Sequence, residues 1–292
     1  MKRTRKNNNR GKKKTKTVRC SPKLDKKDYT CYTDKSLHKL KKYWNIRHPD
    51  SKIKSNTSKE IWSQLKKYMG NICGNEECWL RQKFIYNNLD KELLAYTFAP
   101  KAPYEWKKNP NEWLTSVDLE NVMKQYEKTY PCFEFIGPSP IDYDTHKLYG
   151  ECVWEELCHF NLKQMQKRGK NKIGIIFNTD PHYLEGSHWI SMFINLKEKY
   201  IYFFDSNGDK PPRQIKKLVK NITKQAKEQG IQLKYFENER EHQQSDTECG
   251  MYSLYLIIQL LTDTKKPEYF KNHTITDKDM EQLRRVYFNE SA

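Results

Sequence analysis

The chain has 292 residues, enough for one large or two small domains with a real core, and carries 54 Lys or Arg against 37 Asp or Glu, a formal net charge of +17. The start is charged with no apolar stretch, and the longest apolar run is too short for a membrane span, so the reading excludes a signal peptide and a membrane partner. Eight cysteines in a chain of this length are not the dense framework of a small secreted domain, and the reading places the protein in a reducing cytosol.

Residues 1–19 hold ten Lys or Arg and no acid. Residues 1–21 lack periodicity and bulky apolar side chains, and read as a disordered basic tail: a solubilising arm, a nuclear import signal, or an electrostatic tether to nucleic acid or an acidic scaffold. From 22 to 110 the pattern is a basic helical accessory region. Leu37, Leu40, Tyr43 and Trp44 share one helical stripe, broken at Arg47, His48 and Pro49. Thr57 or Ser58 can cap the next helix, which carries Ile61, Trp62, Leu65 and Met69 at similar spacing, and both stripes read as core. Cys73 and Cys78 have a loop spacing suited to zinc, but Cys20 and Cys31 do not supply a matched second pair. No metal and no other cofactor is expected. Pro100, Pro103 and Pro110, interleaved with Tyr104 and Trp106, mark a connecting segment.

A domain is expected over 111–292. Thr115 with Asp118 forms an approximate capping box for a helix whose apolar face is Leu119, Val122, Met123 and Tyr126. Residues 131–170 give a weak signal: Trp154, Leu157, Cys158, Phe160 and Met165 suggest one more packed helix, and Cys152 and Cys158 show no sign of a partner. Residues 172–178 read as a short buried strand. Two β-rich runs, 189–195 and 200–204, are joined by Lys197, Glu198 and Lys199 and read as a hairpin. If Asn195 pairs with Tyr200, Ile190 faces Asp205, and His188 lies diagonal to Asp205 on the same face; a one-residue slip would separate them. Asp205 can then fix the imidazole tautomer while the other ring nitrogen meets an incoming thiol.

Both faces of that hairpin are apolar, which predicts a sheet covered by helices on each side. Pro211 and Pro212 start a helix striped with Ile215, Leu218, Val219, Ile222 and Ala226 and ended by Gly230. A strand over 231–236 returns and leads through Gln243 to Cys249. The run after Cys249 is apolar and helix-forming, so Cys249 should sit at or just inside a helix N-terminus, where unpaired N–H groups and the helix dipole favour thiolate over thiol and Gly250 leaves the sulfur unobstructed. A last helix is expected near 277–287.

His188-Trp189, then Asp205 after a hydrophobic strand, then Gln243 six residues before Cys249-Gly250, resembles the adenain and SUMO-protease (Ulp-type) superfamily of papain-like cysteine peptidases, most closely the forms encoded by large cytoplasmic DNA viruses of the poxvirus, asfarvirus and mimivirus type. The resemblance is strong over 110–262 and weak before it. It implies an α+β fold: a papain-like core with a central mixed sheet flanked by helices, the nucleophile at a helix N-terminus, and an N-terminal helical extension. By resemblance His188 is the base, Asp205 its orienting partner, Cys249 the nucleophile and Gln243 the oxyanion donor, with the adjacent Gln244 as the other candidate. Trp113 and Trp189 match two walls of a tunnel over the substrate's glycines, which implies a thiol protease cutting after Gly-Gly, Gly-x-Gly or Ala-Gly. The implied substrates are viral precursor polyproteins, and the implied location is the virion and the host cytoplasm. The same tunnel suits deconjugation of SUMO- or ubiquitin-like modifiers, and related triads also transfer acyl groups to Lys or Ser. A catalytically inactive, basic nucleic-acid-binding virion protein is the alternative outside enzymes.

Overall fold

The computed structural model describes residues 18–24, 27–87 and 91–290; most of the basic tail, residues 1–17, lies outside the described residues. The described chain divides into two compact units, one running to residue 98 and one formed by 21–24 with the chain from 99 onward.

In the first unit the two predicted stripes become helices α1 (Asp34–Arg47) and α2 (Ser58–Met69), followed by the short α3 (Glu76–Leu80), α4 (Lys83–Tyr86) and α5 (Lys91–Tyr96). Thr33 caps α1 by accepting from the Ser36 N–H, and Thr57 occupies the cap position of α2. Leu37, Leu40, Trp44, Ile61, Leu65 and Met69 form its core with Trp79 and Leu80. Cys20 is joined to Cys31, and Cys73 to Cys78, with Cα atoms 5.1 and 5.4 Å apart. These pairs correct the expectation of unpaired thiols, as does a third, Cys152 with Cys158 in the second unit. Sequence separations of 11, 5 and 6 leave little loop to close, and local turns bring each pair into bonding range.

The expected boundary at 110 lies too far along the chain. Residues 99–110 belong to the second unit because the Asn289 N–H donates to the Pro100 carbonyl and the Ala102 N–H to the Asn289 carbonyl, each at 2.7 Å. This unit contains α6 (Ser116–Thr129), β1 (Phe133–Pro140), α7 (Glu155–Cys158), α8 (Leu162–Lys167), β2 (Lys172–Asn178), β3 (Trp189–Asn195), β4 (Tyr200–Phe204), α9 (Arg213–Glu228), β5 (Lys234–Glu237), α10 (Cys249–Leu261), α11 (Pro267–Asn272) and α12 (Asp277–Tyr287). The five strands form one mixed sheet in the order β1-β2-β3-β4-β5, parallel at both outer pairs and antiparallel at the two inner pairs. The protein is therefore α+β, as expected. Where one helix was expected between 154 and 165, two short ones form, separated by His159, Phe160 and Asn161.

Alternation along β3 and β4 divides the core. Ile190, Met192, Ile194, Ile201 and Phe203 pack with α7, α8 and α9 on one face, while Trp189, Phe193, Tyr202 and Phe204 pack with α6, α10, α11 and α12 on the other. All residues of α10 except Tyr255 and Gln259 are buried. A Cβ on Gly174 of β2 would lie 2.8 Å from Ile257 Cγ2 and 3.0 Å from the Phe133 ring, so the bare backbone there lets α10 lie close on the sheet. At the C-terminal end of α10, Lys172 Nζ donates to the Leu261 carbonyl and pairs with Asp263, at 2.8 Å each, where a cation complements the helix dipole. No helix among the described residues is long and apolar enough to cross a membrane.

Candidate active site

The hairpin forms in the anticipated register, with Asn195 opposite Tyr200 and Ser191 opposite Phe204. One step further along the ladder, Asp205 reaches His188 Nε2 with Oδ1 at 2.8 Å. The carboxylate is buried, and Oδ1 also accepts from the Asn207 N–H at 2.9 Å. Asn238 Nδ2 donates to the Asp205 backbone carbonyl at 2.7 Å, which fixes the chain beneath the carboxylate. With Nε2 engaged by Asp205, Nδ1 is the ring nitrogen left for sulfur. Burial by itself would lower the His188 pKa, but hydrogen bonds with Asp205 and Cys249 and the charges of both outweigh it and push it up to about 10. At neutral pH the imidazole therefore holds a proton between the Asp205 carboxylate and the Cys249 sulfur.

Cys249 is the first residue of α10 and is buried. Its neighbour Gly250 has a second reason to be glycine besides access to the sulfur. A Cβ there would stand 3.1 Å from Leu114 Cβ and 3.3 Å from Trp189 Cδ1. Trp189 is itself anchored, its indole N–H donating to the Leu114 carbonyl at 3.0 Å. Trp189, Leu114 and the start of α10 thus meet at van der Waals distance. Trp113, half-buried, directly precedes Leu114, and Thr115 begins α6 with a complete capping box to Asp118. Gly250→Ala must displace this packing by a few tenths of an ångström. It is expected to lower kcat/KM by about 10-fold or more through misplacement of the sulfur and to cost about 1–3 kcal/mol by overpacking. Parallel rate and thermal-melt measurements check both.

Gln243 is buried whereas Gln244, the other candidate donor, is exposed. Gln243 Oε1 accepts from Ser206 Oγ at 2.8 Å, its N–H donates to the Ser206 carbonyl at 3.0 Å, and its side-chain amide donates to the Ser245 carbonyl. One amide hydrogen is thereby used, and a primary amide has two. The loop is held from α12: Asp277 Oδ2 accepts from the Gln244 and Ser245 N–H groups at 3.0 and 2.9 Å, and Oδ1 accepts from the Tyr252 hydroxyl at 3.0 Å.

Residues 158–292 match the Ulp1 protease family, C-terminal catalytic domain. Over this span the chain is a Ulp1-like cysteine protease domain. A candidate thiol protease of Acanthamoeba polyphaga mimivirus is 28% identical over 290 residues, covering 92% of each chain. A SUMO-1 cysteine protease of African swine fever virus is 27% identical over 264 residues, 84% of this chain and 93% of the relative. The crystal structure of an African swine fever virus protease superposes with a TM-score of 0.64 at 20% identity, covering 95% of this chain and 98% of that one, which shows the shared fold.

The sequence reading missed what steadies the start of α10. Glu248, fully buried immediately before Cys249, is paired with buried Arg284 of α12: Arg284 Nε lies 3.1 and 2.9 Å from its two oxygens. The same guanidinium donates to the carbonyls of Glu112 at 2.7 Å and Thr247 at 3.2 Å, and stacks 4.4 Å from the centre of the Trp106 ring. One side chain thus joins the approach to Trp113 with the approach to Cys249. Burial pushes the Glu248 carboxyl above its ordinary range, against the opposing pull of Arg284. An Arg in an amphipathic helix far along the chain carries no local signal of this role.

Proposed function

We propose that this cysteine protease is an endopeptidase that cuts after small residues, at Gly-Gly, Gly-x-Gly or Ala-Gly type sites, and matures viral core or capsid precursors in the virion and the host cytoplasm. The observation that carries the chemistry is His188 held between Asp205 and Cys249. With its proton resting on His188, Cys249 Sγ bonds to the scissile carbonyl carbon, and the carbonyl π pair moves to the oxygen. The free amide hydrogen of Gln243 and the Cys249 N–H hold that oxyanion. His188 gives its proton to the leaving amine as the thioester forms, then takes one from the water that hydrolyses it. Trp113 and Trp189 wall the approach, and the packing of Trp189 with Leu114 against Gly250 supports a narrow passage suited to glycine-like residues before the cut. The viral setting is supported by the viral relatives.

The second reading is removal of SUMO- or ubiquitin-like modifiers, favoured by the name of the African swine fever virus relative. A competition assay separates the two: Gly-x-Gly and Ala-Gly-x peptides are offered with SUMO and ubiquitin C-terminal fluorogenic substrates, Cys249→Ala serving as blank. The precursor reading expects turnover of the peptides, and preferential turnover of a modifier contradicts it. The basic tail is proposed to bind nucleic acid electrostatically, with an affinity that falls steeply as salt rises.

Acylation needs the imidazolium, so activity should be lost as pH rises through the His188 pKa, near 10. Asp205→Asn keeps an acceptor oxygen but removes the charge that holds this proton. The alkaline limb of kcat/KM should therefore move to lower pH and the maximum should fall. A pH–rate profile checks this, and an unmoved limb would contradict the role of Asp205.

A further inference from the structure

Two groups of metal-ligating side chains that the proposed mechanism does not use, one with His146 and Cys158 and one with Glu155 and His159, share Cys152 in the stretch from the turn after β1 to the end of α7. The chain doubles back there: the Lys147 N–H donates to the Glu151 carbonyl at 2.7 Å, the Val153 N–H to the Thr145 carbonyl at 2.9 Å, and His146 faces Cys152 across an isolated antiparallel bridge. Tyr149 and Gly150 make the reversal in left-handed conformations, with φ of 80 and 83°. The short α7 then delivers Cys158 and His159. As a result His146 Nε2 lies 3.8 Å and His159 Nε2 4.0 Å from the same sulfur, Cys152 Sγ. The ligand atoms of His146, Cys152 and Cys158 lie within 4.8 Å of one another, as do those of Cys152, Glu155 and His159.

Sulfur is a weak hydrogen-bond acceptor, so two imidazoles gain little by facing a disulfide. Their spacing suits a metal instead: tetrahedral zinc, with its usual bond lengths to thiolate and imidazole, holds neighbouring sulfur and nitrogen ligands about 3.6 Å apart. The Cα atoms of Cys152 and Cys158 are 6.2 Å apart, so both thiolates can reach a shared ion once the sulfurs separate.

We propose that Cys152 and Cys158, when reduced, join His146 and His159 in a Cys₂His₂ zinc site, the disulfide and the metal being alternative states of the same side chains. Reduction takes two electrons from a thiol or phosphine reductant, which leaves as its own disulfide or as the phosphine oxide. The sulfur–sulfur bond breaks to two thiols, and zinc(II) displaces both thiol protons to solvent. Glu155 supports the site by accepting from the Cys152 N–H at 2.7 Å; its 3.3 Å contact with His159 Nε2 opens when that nitrogen takes zinc. The site departs from the sequence expectation of no metal, which weighed only Cys73 with Cys78. It would brace the stretch where Asp142 accepts from the His182 N–H at 2.9 Å and contacts His182 Nδ1 at 2.7 Å, in the loop leading to His188.

The test compares phosphine-reduced full-length protein with its Cys152→Ser/Cys158→Ser variant, both carrying Cys249→Ala so that the proposed nucleophile binds no metal. After equilibration with zinc and desalting, the parent should retain about one zinc per chain more than the double variant. Cobalt(II) should give tetrahedral and thiolate charge-transfer absorption in the parent alone. His146→Asn, a change on an exposed loop, should weaken zinc binding by about 100-fold or more with unchanged far-UV circular dichroism. Equal zinc content in the parent and the double variant, cobalt bound without thiolate absorption, or wild-type affinity in His146→Asn would each overturn the proposal.

Discussion

Cys249→Ala is expected to abolish turnover, whereas Gln243→Ala should leave a slow but measurable enzyme. Removing a nucleophile eliminates the covalent route and costs on the order of 10⁶ in kcat in comparable triads. Removing one oxyanion donor costs on the order of 10²–10³, because the second donor and the bound geometry remain. In the proposed mechanism the second donor is the Cys249 N–H at the start of α10, which the alanine variant at 243 leaves in place. Gln243 also accepts from Ser206, next to Asp205. A Gln243→Glu variant retains that acceptor and loses the amide donors, so it should be at least as slow as Gln243→Ala. Single-turnover and steady-state rates on one peptide substrate check the series, and equal residual activity in Cys249→Ala and Gln243→Ala would contradict the assignment.

Arg284→Ala should be the most destabilising substitution outside the apolar core, by about 3–5 kcal/mol, because it strands the buried Glu248 carboxylate. It also removes donors to the Glu112 and Thr247 carbonyls and the stack on Trp106, so the segments leading to Trp113 and Cys249 lose a common anchor. Activity should fall along with stability. Replacing both partners, as Glu248→Met with Arg284→Met, leaves no unpaired charge and should cost less than the sum of the single changes. Denaturant unfolding of the four proteins measures the coupling. A loss below about 1 kcal/mol in Arg284→Ala, typical of an exposed pair, would show that the contact is not a buried anchor.

The parts of the site legible in the sequence are those set by short-range periodicity. Alternation of period two in β3 and β4, with one turn to fix the register, was enough to put His188 beside Asp205, because a slip would have turned one side chain away. The apolar run after Cys249 and the Thr115 capping box were read from local pattern in the same way. β1 escaped because its sequence argues against a strand. Gly137 and Pro138 interrupt the ladder, and its register shifts between Ile136 and Ser139; an outer position in the sheet tolerates this. The cysteine pairs escaped for another reason. Pairing of Cys152 with Cys158 depends on the reversal at Tyr149 and Gly150 and on the short α7, neither of which has a periodic signature. The pairing of Glu248 with Arg284 across 36 residues was invisible because nothing local specifies the partner of a buried charge.

The central claim is that Cys249, held by His188, is the nucleophile that accepts the residue after which the chain is cut. A peptide ending in Gly-Gly with a thiol-reactive electrophile in place of the scissile carbonyl tests it most directly, the adduct being located by peptide mass mapping. Among the described residues the unpaired cysteines are Cys249, which is buried, and Cys132, which is partly exposed. The account predicts a single adduct on Cys249, formed slowly or not at all in His188→Ala and outcompeted by substrate. Labelling of Cys132 instead, or labelling of Cys249 at the same rate in His188→Ala, would contradict it.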